Sequence, residues 1–214
     1  MKIVSIEEDE KKPSKKTKEQ PIIESVVTEA KSRVGAGAYV ITVRNMARRY
    51  SSEKNLEELI DWQFKEGNSY HIISQGDIDS LTYLRQIIKT QKVEKVILST
   101  WCMSISDILE IERWIKAGRI GIIHFYIGEI FKNSYAGEYD EIQRLKKEGK
   151  ADYTIFRNHS KVMCGHGESF SFVVESSANV NTNPRCENTV VTIDSGLCDF
   201  YINFFSKIKS IDNE

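Results

Sequence analysis

The stretch HSKVMCGHGESFSFVVESSANVNTNPRCEN, residues 159–188, combines β-strand patterns with a high concentration of polar side chains. HSKVMC passes from polar into apolar residues, and SFSFVVES carries an apolar run bounded by polar residues, which predicts two strands. The SSAN tetrapeptide that follows is typical of a turn, since Ser and Asn form local hydrogen bonds to the backbone. The stretch is therefore expected to be either a polar sheet edge or a functional site.

Predicted strands and helices alternate in the residues that precede this stretch. The patterns predict strands at 69–74, 95–101 and 119–128, and helices at 77–92, 104–118 and 138–149. YTIFRN, HSKVMC, SFSFVVES and ENTVVTI predict further strands, and 197–208 predicts a closing helix. Helices between buried strands indicate βαβ units, so the expected fold class is α/β, with a mixed, mostly parallel sheet and helices on both faces.

The N-terminal part of the chain has a different composition. Residues 1–20 are almost all polar and carry charges of both signs, which predicts a disordered charged arm, with a nucleic-acid-contacting arm as the alternative. Residues 21–67 predict an N-terminal extension with a strand at 38–43 and a helix over 51–67 that ends at Gly67. Residues 69–210 are expected to form the main domain.

Composition excludes several classes of protein. The 214 residues carry a formal net charge of −1, so no global basic field recruits nucleic acid. The N-terminus lacks the apolar core of a signal peptide and no apolar run is long enough to span a membrane, which predicts a cytoplasmic protein without a membrane partner. The cysteines form no CxxC pair and are expected to be reduced thiols, and the irregular spacing of Cys164, His166, Cys186 and Cys198 disfavours a zinc site.

Five polar residues of the stretch 159–188 have side chains that suit a phosphodiester site without a metal ion or other cofactor. His159 can attack phosphorus, and Lys161, expected on the same side of a strand, can neutralise a phosphate oxygen. Ser177 and Asn179 can donate hydrogen bonds to phosphate oxygens, and Glu187 can fix the histidine ring. The alternatives are structural, because surface strands carry His and Lys and turns carry Ser and Asn.

The order His-x-Lys, Ser-x-Asn, Glu-Asn resembles the phospholipase D superfamily, whose signature is His-x-Lys, four residues, Asp, then Gly-Ser-x-Asn. The resemblance covers roughly residues 69–208 and implies a phospholipase D-like αβα sandwich. It implies that His159 forms a phosphohistidine intermediate and that Lys161 binds phosphate. It further implies that Ser177 and Asn179 belong to the motif's turn and that Glu187 orients the histidine.

The resemblance is incomplete at two positions. His166 stands where the motif has Asp, and Ser176 stands where it has Gly. The interval between His-x-Lys and the turn is also about three residues longer than in the family pattern. The chain has one His-x-Lys motif, which implies a homodimer whose two motifs meet at the twofold axis, with the second His159 protonating the leaving oxygen.

The leading interpretation is a metal-independent phosphodiesterase, a nuclease that hydrolyses nucleic-acid phosphodiester bonds. A short single-motif chain favours the nuclease-like members over phospholipases. The alternative is a catalytically weak or inactive phospholipase D-like protein that binds nucleic acid or serves in an assembly, and the two departures motivate it. Trp101, after the strand 95–101, could stack on a base, although core packing is the favoured interpretation.

Overall fold

Seven strands form one sheet in the computed structural model, which describes residues 49–181 and 185–211. The strands are β1 (Ser69–Ser74), β2 (Val93–Thr100), β3 (Ile120–Gly128), β4 (Ala151–Phe156), β5 (Val162–Gly167), β6 (Ser171–Ser176) and β7 (Glu187–Thr192). Their order across the sheet is β1-β7-β6-β5-β2-β3-β4. β2 therefore lies inside the sheet, between β5 and β3.

Six helices complete the described part of the chain. α1 covers residues 49–59, and the others are α2 (Ser80–Thr90), α3 (Ile105–Lys116), α4 (Phe131–Ser134), α5 (Ala136–Lys147) and α6 (Ser195–Ser206). The side chain of Asp79 accepts from Leu81 N at the start of α2, and Ser104 and Asp107 form a capping box at the start of α3. None of the helices described is long and apolar enough to cross a bilayer.

Different helices cover the two faces of the sheet. Successive strand residues point to opposite faces, so Leu98 packs into a large cluster with residues of α2, α3 and α5. Its neighbour Ile97 packs on the other face with Cys198 and Phe205 of α6. The predicted α/β class with helices on both faces is confirmed.

The prediction of a mostly parallel sheet is only partly correct. β3 pairs parallel with β2 and with β4, whereas the pairs β1–β7, β7–β6, β6–β5 and β5–β2 are antiparallel. A parallel pair needs a long crossover, which the helices between β2, β3 and β4 provide. Three residues separate β5 from β6 and ten separate β6 from β7, which is too few for such a crossover, so these strands pair antiparallel.

The predicted helix over 51–67 is shorter than expected. α1 ends at residue 59, and residues 60–66 run without a helix to Gly67, whose φ is +85°. Trp62 and Phe64 stack with ring centroids 5.3 Å apart, and Phe64 also stacks on Phe170 at 4.8 Å. These contacts hold the segment against the sheet in a non-helical path. The predicted arm 1–20 and the predicted strand 38–43 lie outside the described residues.

Truncation of Leu98 tests the position of the core. Leu98 is fully buried on β2, so Leu98→Ala should lower the free energy of unfolding by about 2–5 kcal/mol, because it removes buried contacts and leaves a cavity. Leu59→Ala is the matched control, since Leu59 is 64% exposed, and should change stability by about 0.5 kcal/mol or less. Urea unfolding followed by circular dichroism measures both, and equal losses would contradict the described core.

Candidate active site

A buried amide anchors the loop of residues 157–161 to the sheet. Asn158 is 4% exposed, and its Nδ2 lies 2.8 Å from Tyr126 O and 3.2 Å from Thr100 O. Nδ2 also lies 3.0 Å from Ser99 Oγ. Thr100 ends β2 and Tyr126 lies near the end of β3, and these strands are parallel. The side chain of Asn158 therefore ties the loop to the edge of the sheet where both strands end.

The same side chain sets the conformation of the loop. Asn158 Oδ1 accepts hydrogen bonds from Ser160 N at 2.9 Å and from Ser160 Oγ at 2.7 Å, an Asx-turn arrangement. β5 begins only at Val162, so His159 and Lys161 precede the strand. The prediction that strand alternation puts them on one side of the sheet is wrong, because this turn occupies the positions assigned to the strand.

His159 and Lys161 nevertheless lie side by side. Lys161 Nζ is 3.0 Å from His159 Nδ1 and 3.4 Å from Nε2, and it donates to His159 O at 2.5 Å. An ammonium group only donates, and at most one nitrogen of a neutral imidazole can accept from it. Burial lowers the pKa of Lys161, while nearby Cys102 and Glu187 act in the opposite direction. An exposed imidazole and a half-buried cation thus share one loop.

Ser177 and Glu187 meet across the connection between β6 and β7. Ser177 Oγ donates a short hydrogen bond to Glu187 Oε2 and accepts one from Asn188 N at 3.1 Å. The carboxylate of Glu187 also interacts electrostatically with Lys161. Within the described part of the chain no hydrogen bond joins Glu187 to His159. The orienting role of Glu187 therefore stays a prediction.

Asn179 presents its amide at the end of β2. Its Oδ1 accepts from Trp101 N at 3.3 Å, and its backbone O accepts from Ser80 Oγ at 2.9 Å. A main-chain N–H requires an acceptor, so this contact fixes which end of the amide faces Trp101. No described residue accepts a hydrogen bond from Asn179 Nδ2. Within the described residues, that donor is available to a ligand oxygen.

The turn accommodates serine at the position where the motif has glycine. Ser176 closes β6, and no non-glycine residue of the described ranges has a positive φ. Its Oγ accepts from Ala178 N at 3.1 Å and lies 2.8 Å from Thr189 Oγ1. Ser176 thus adds side-chain hydrogen bonds to the turn, and no backbone strain follows from the substitution.

His166 lies at the far end of β5, away from His159. Its Nε2 is 3.0 Å from Asp199 Oδ1 on α6, and its Nδ1 is 2.8 Å from Ser171 Oγ on β6. The carboxylate beside this position is that of Asp199 on α6. The group joins secondary-structure elements and does not contact the loop with His159.

Two residues of the site follow from the structure and not from the sequence pattern. Asn158 resembles any polar residue after a strand, and only its contacts identify it as an anchor. Trp101 was expected in the core, yet it belongs to neither buried cluster, and its ring centroid lies 5.9 Å from that of His159. An aromatic residue at the carboxyl end of a central strand was the available signal for Trp101.

The five predicted residues lie in the loops and strand ends around the end of β2. The ranges 49–181 and 185–211 contain no group of three or more His, Cys, Asp and Glu placed to hold a metal ion. Imidazole, ammonium and amide groups are suited to bind and attack a phosphate group. Chemistry without a metal ion remains a prediction from the sequence.

Removal of the Asn158 amide tests the anchor. Asn158→Ala should lower the free energy of unfolding by about 1–3 kcal/mol, since the carbonyls of Tyr126 and Thr100 lose a buried donor. Asn188→Ala, at an exposed position of β7, is the control and should cost about 0.5 kcal/mol or less. Urea unfolding measures both variants. A neutral Asn158→Ala would show that the loop does not depend on this amide.

Comparison with known proteins gives similarity in fold at low sequence identity. No protein-family model matches the chain, and no curated protein matches it. NucT from Helicobacter pylori is 17% identical, with a TM-score of 0.51 over 66% of this chain and 95% of that chain. The polyphosphate kinase from Porphyromonas gingivalis is 13% identical, with a TM-score of 0.50 over 64% of this chain and 25% of that chain.

A third solved structure is Nuc from Salmonella typhimurium, described as a phospholipase D family member. It is 14% identical, with a TM-score of 0.46 over 66% of this chain and 93% of that chain. Identities at this level establish the fold alone. The αβ architecture of this chain, with its seven-stranded sheet, is thus similar in fold to NucT.

Proposed function

We propose that this protein is a metal-independent phosphodiesterase that hydrolyses phosphodiester bonds of nucleic acids. The observation that carries the proposal is the contact of 3.0 Å between His159 Nδ1 and Lys161 Nζ, in a loop anchored at the end of β2. A potential nucleophile and a cation for phosphate thus lie side by side before any ligand binds. Preorganised groups of this kind stabilise a transition state at little reorganisation cost.

The first step is attack of a His159 ring nitrogen on phosphorus. A P–N bond forms as the P–O bond to the leaving alcohol breaks, and the leaving oxygen takes a proton from a general acid. Lys161 binds one non-bridging oxygen, and Asn179 Nδ2 donates to another. Glu187 stabilises the positive charge on the histidine once the ring has turned toward it. In the second step water adds to phosphorus, the P–N bond breaks and His159 is regenerated.

The general acid is proposed to come from a second copy of the chain. The sequence has four histidines, and the other three lie on β1, β3 and β5. The described contacts of His71, His124 and His166 are with Ser69, Thr154 and Asp199. A homodimer with the two loops facing each other would place His159 of the partner subunit opposite the nucleophile. That imidazolium would protonate the leaving oxygen and then, as a base, activate the water.

The accommodation of both motif departures favours an enzyme over the alternative of an inactive binding protein. Ser176 completes the turn without strain, and Asp199 places a carboxylate beside His166. Neither departure removes a group that would contact phosphate. The groups assigned to attack and charge neutralisation, His159 and Lys161, are both present.

A cleavage assay tests the function. Plasmid and single-stranded DNA are incubated in EDTA with the unaltered protein, His159→Ala and Lys161→Ala. His159→Ala should lower the rate by at least about 10³-fold, since the nucleophile is lost. Lys161→Ala should lower it by about 10²–10³-fold, since transition-state charge is uncompensated. His71→Ala, an exposed histidine on β1, is the matched control and should retain full activity.

Opposite results have distinct meanings. Cleavage that requires added Mg²⁺, or that is equal in His159→Ala, would overturn the proposed chemistry. DNA binding without cleavage by the unaltered protein would favour the inactive binding protein.

Subunit mixing tests the shared site. Equal amounts of unaltered chain and His159→Ala chain are refolded together. Random pairing then gives about one quarter of the dimers a His159 residue in both subunits. Activity should therefore fall to about one quarter of that of the unaltered dimers if each reaction needs both histidines. Retention of about one half, or a monomer in light scattering, would show that each chain acts alone.

A further inference from the structure

Trp101 is a large aromatic residue that directly follows β2. It is partly exposed and belongs to neither hydrophobic cluster. The other two tryptophans of the chain differ: Trp114 is buried in the core, and Trp62 stacks on Phe64. A partly exposed indole leaves an aromatic surface that a ligand can cover.

The protein holds this indole beside the proposed nucleophile. The centroids of the Trp101 and His159 rings are 5.9 Å apart, and the ring planes meet at 48°. Trp101 N donates to Asn179 Oδ1 at 3.3 Å, so the backbone of the tryptophan is tied to a predicted phosphate-binding residue. The ring position is thus coupled to the site on two sides.

A glycine on the neighbouring strand makes room for the ring. Gly128 closes β3, and a Cβ built there would lie 2.9 Å from Trp101 Cδ1 and 3.5 Å from Nε1. Any larger residue at 128 would displace the indole from the end of β3. The φ of Gly128 is not in the left-handed region, so close approach of the indole is what favours glycine here.

We propose that Trp101 is the stacking platform for the nucleobase next to the scissile phosphate. This inference rests on the proposed function. A base that stacks on Trp101 would stand within one nucleotide of the phosphate between His159 and Lys161. Stacking on an aromatic face does not depend on base identity, so the site would accept many sequences. The neighbouring groups are imidazole, ammonium and amide, which suit a nucleotide better than an acyl chain.

A stacking role for Trp101 favours a single strand or an unpaired region as the substrate. A base inside a duplex is already stacked on its neighbours, and moving it onto Trp101 would cost unpairing free energy. A single strand lacks most of that cost. Single-stranded DNA should therefore be cut faster than a duplex of the same sequence.

A binding assay distinguishes the contribution of the bases to affinity from that of the phosphates. The probes are a single-stranded thymidine oligonucleotide and a tetrahydrofuran-spacer oligomer of equal length and charge that has no bases. Binding is followed by tryptophan fluorescence and anisotropy in the His159→Ala protein, which should not consume the probe. The base-bearing probe should bind about tenfold more tightly than the abasic one.

Variants at position 101 assign the preference to the indole. Trp101→Leu should abolish the tenfold ratio, whereas Trp101→Phe, which retains an aromatic face, should keep part of it. Phe200→Leu, at a residue that is 60% exposed on α6, is the matched control and should leave the ratio unchanged. An unchanged ratio in Trp101→Leu would overturn the inference, even if the protein cuts DNA.

The outcomes for the two proposals are distinguishable. A base preference that disappears in Trp101→Leu, without DNA cleavage by the unaltered protein, would support the platform and overturn the phosphodiesterase. A tryptophan fluorescence change that is lost in Trp101→Leu could appear with phosphatidylcholine vesicles and not with the oligonucleotide. That result would overturn the platform for bases, since a choline headgroup would then occupy the indole face.

Discussion

The hydrogen bonds of the Asn158 side chain are the constraint on which the site depends. Two parallel strands, β2 and β3, end at one edge of the sheet, and each leaves a main-chain carbonyl there. Asn158 donates to both and accepts from Ser160, so one buried amide satisfies strand ends and shapes the following loop. Buried polar groups of this kind are costly when unpaired, which favours a single loop conformation. That loop conformation sets the positions of His159 and Lys161.

Other secondary-structure elements contribute the remaining side chains of the site at the same edge of the sheet. The turn after β6 contributes Asn179, whose amide bonds to the main chain after β2, and β7 begins with Glu187 beside the turn. Their assembly requires antiparallel pairing of β5, β6 and β7 next to β2. The charges are local: the chain is nearly neutral overall, but a lysine ammonium and a glutamate carboxylate interact within the site. Under the proposed function, the contacts with phosphate would come from these local groups and would not depend on the net charge of the chain.

Both positions that differ from the motif, Ser176 and His166, have hydrogen-bond partners in the described structure. A glycine is needed in a turn only where φ is positive or a neighbour approaches closely, and Ser176 meets neither condition here. His166 and Asp199 together supply an acid–base pair that joins β5 to α6. By contrast, the glycine at position 128 is required by a close approach, because the Trp101 ring occupies the space that a Cβ would fill.

The sequence by itself determined the α/β class, the order of strands and helices, and the five residues proposed for phosphate chemistry. Period-two and helical patterns are local, so they identify strands such as β2 and helices such as α2 without tertiary information. Only the tertiary structure decided the order of the strands across the sheet, the early end of α1 and the loop conformation at His159. Each depends on contacts between residues distant in sequence, such as Asn158 with Tyr126 and Phe64 with Phe170, which no local pattern encodes. The exposure of Trp101 beside His159 was decided in the same way, because a local pattern does not distinguish an indole in the core from one at a site.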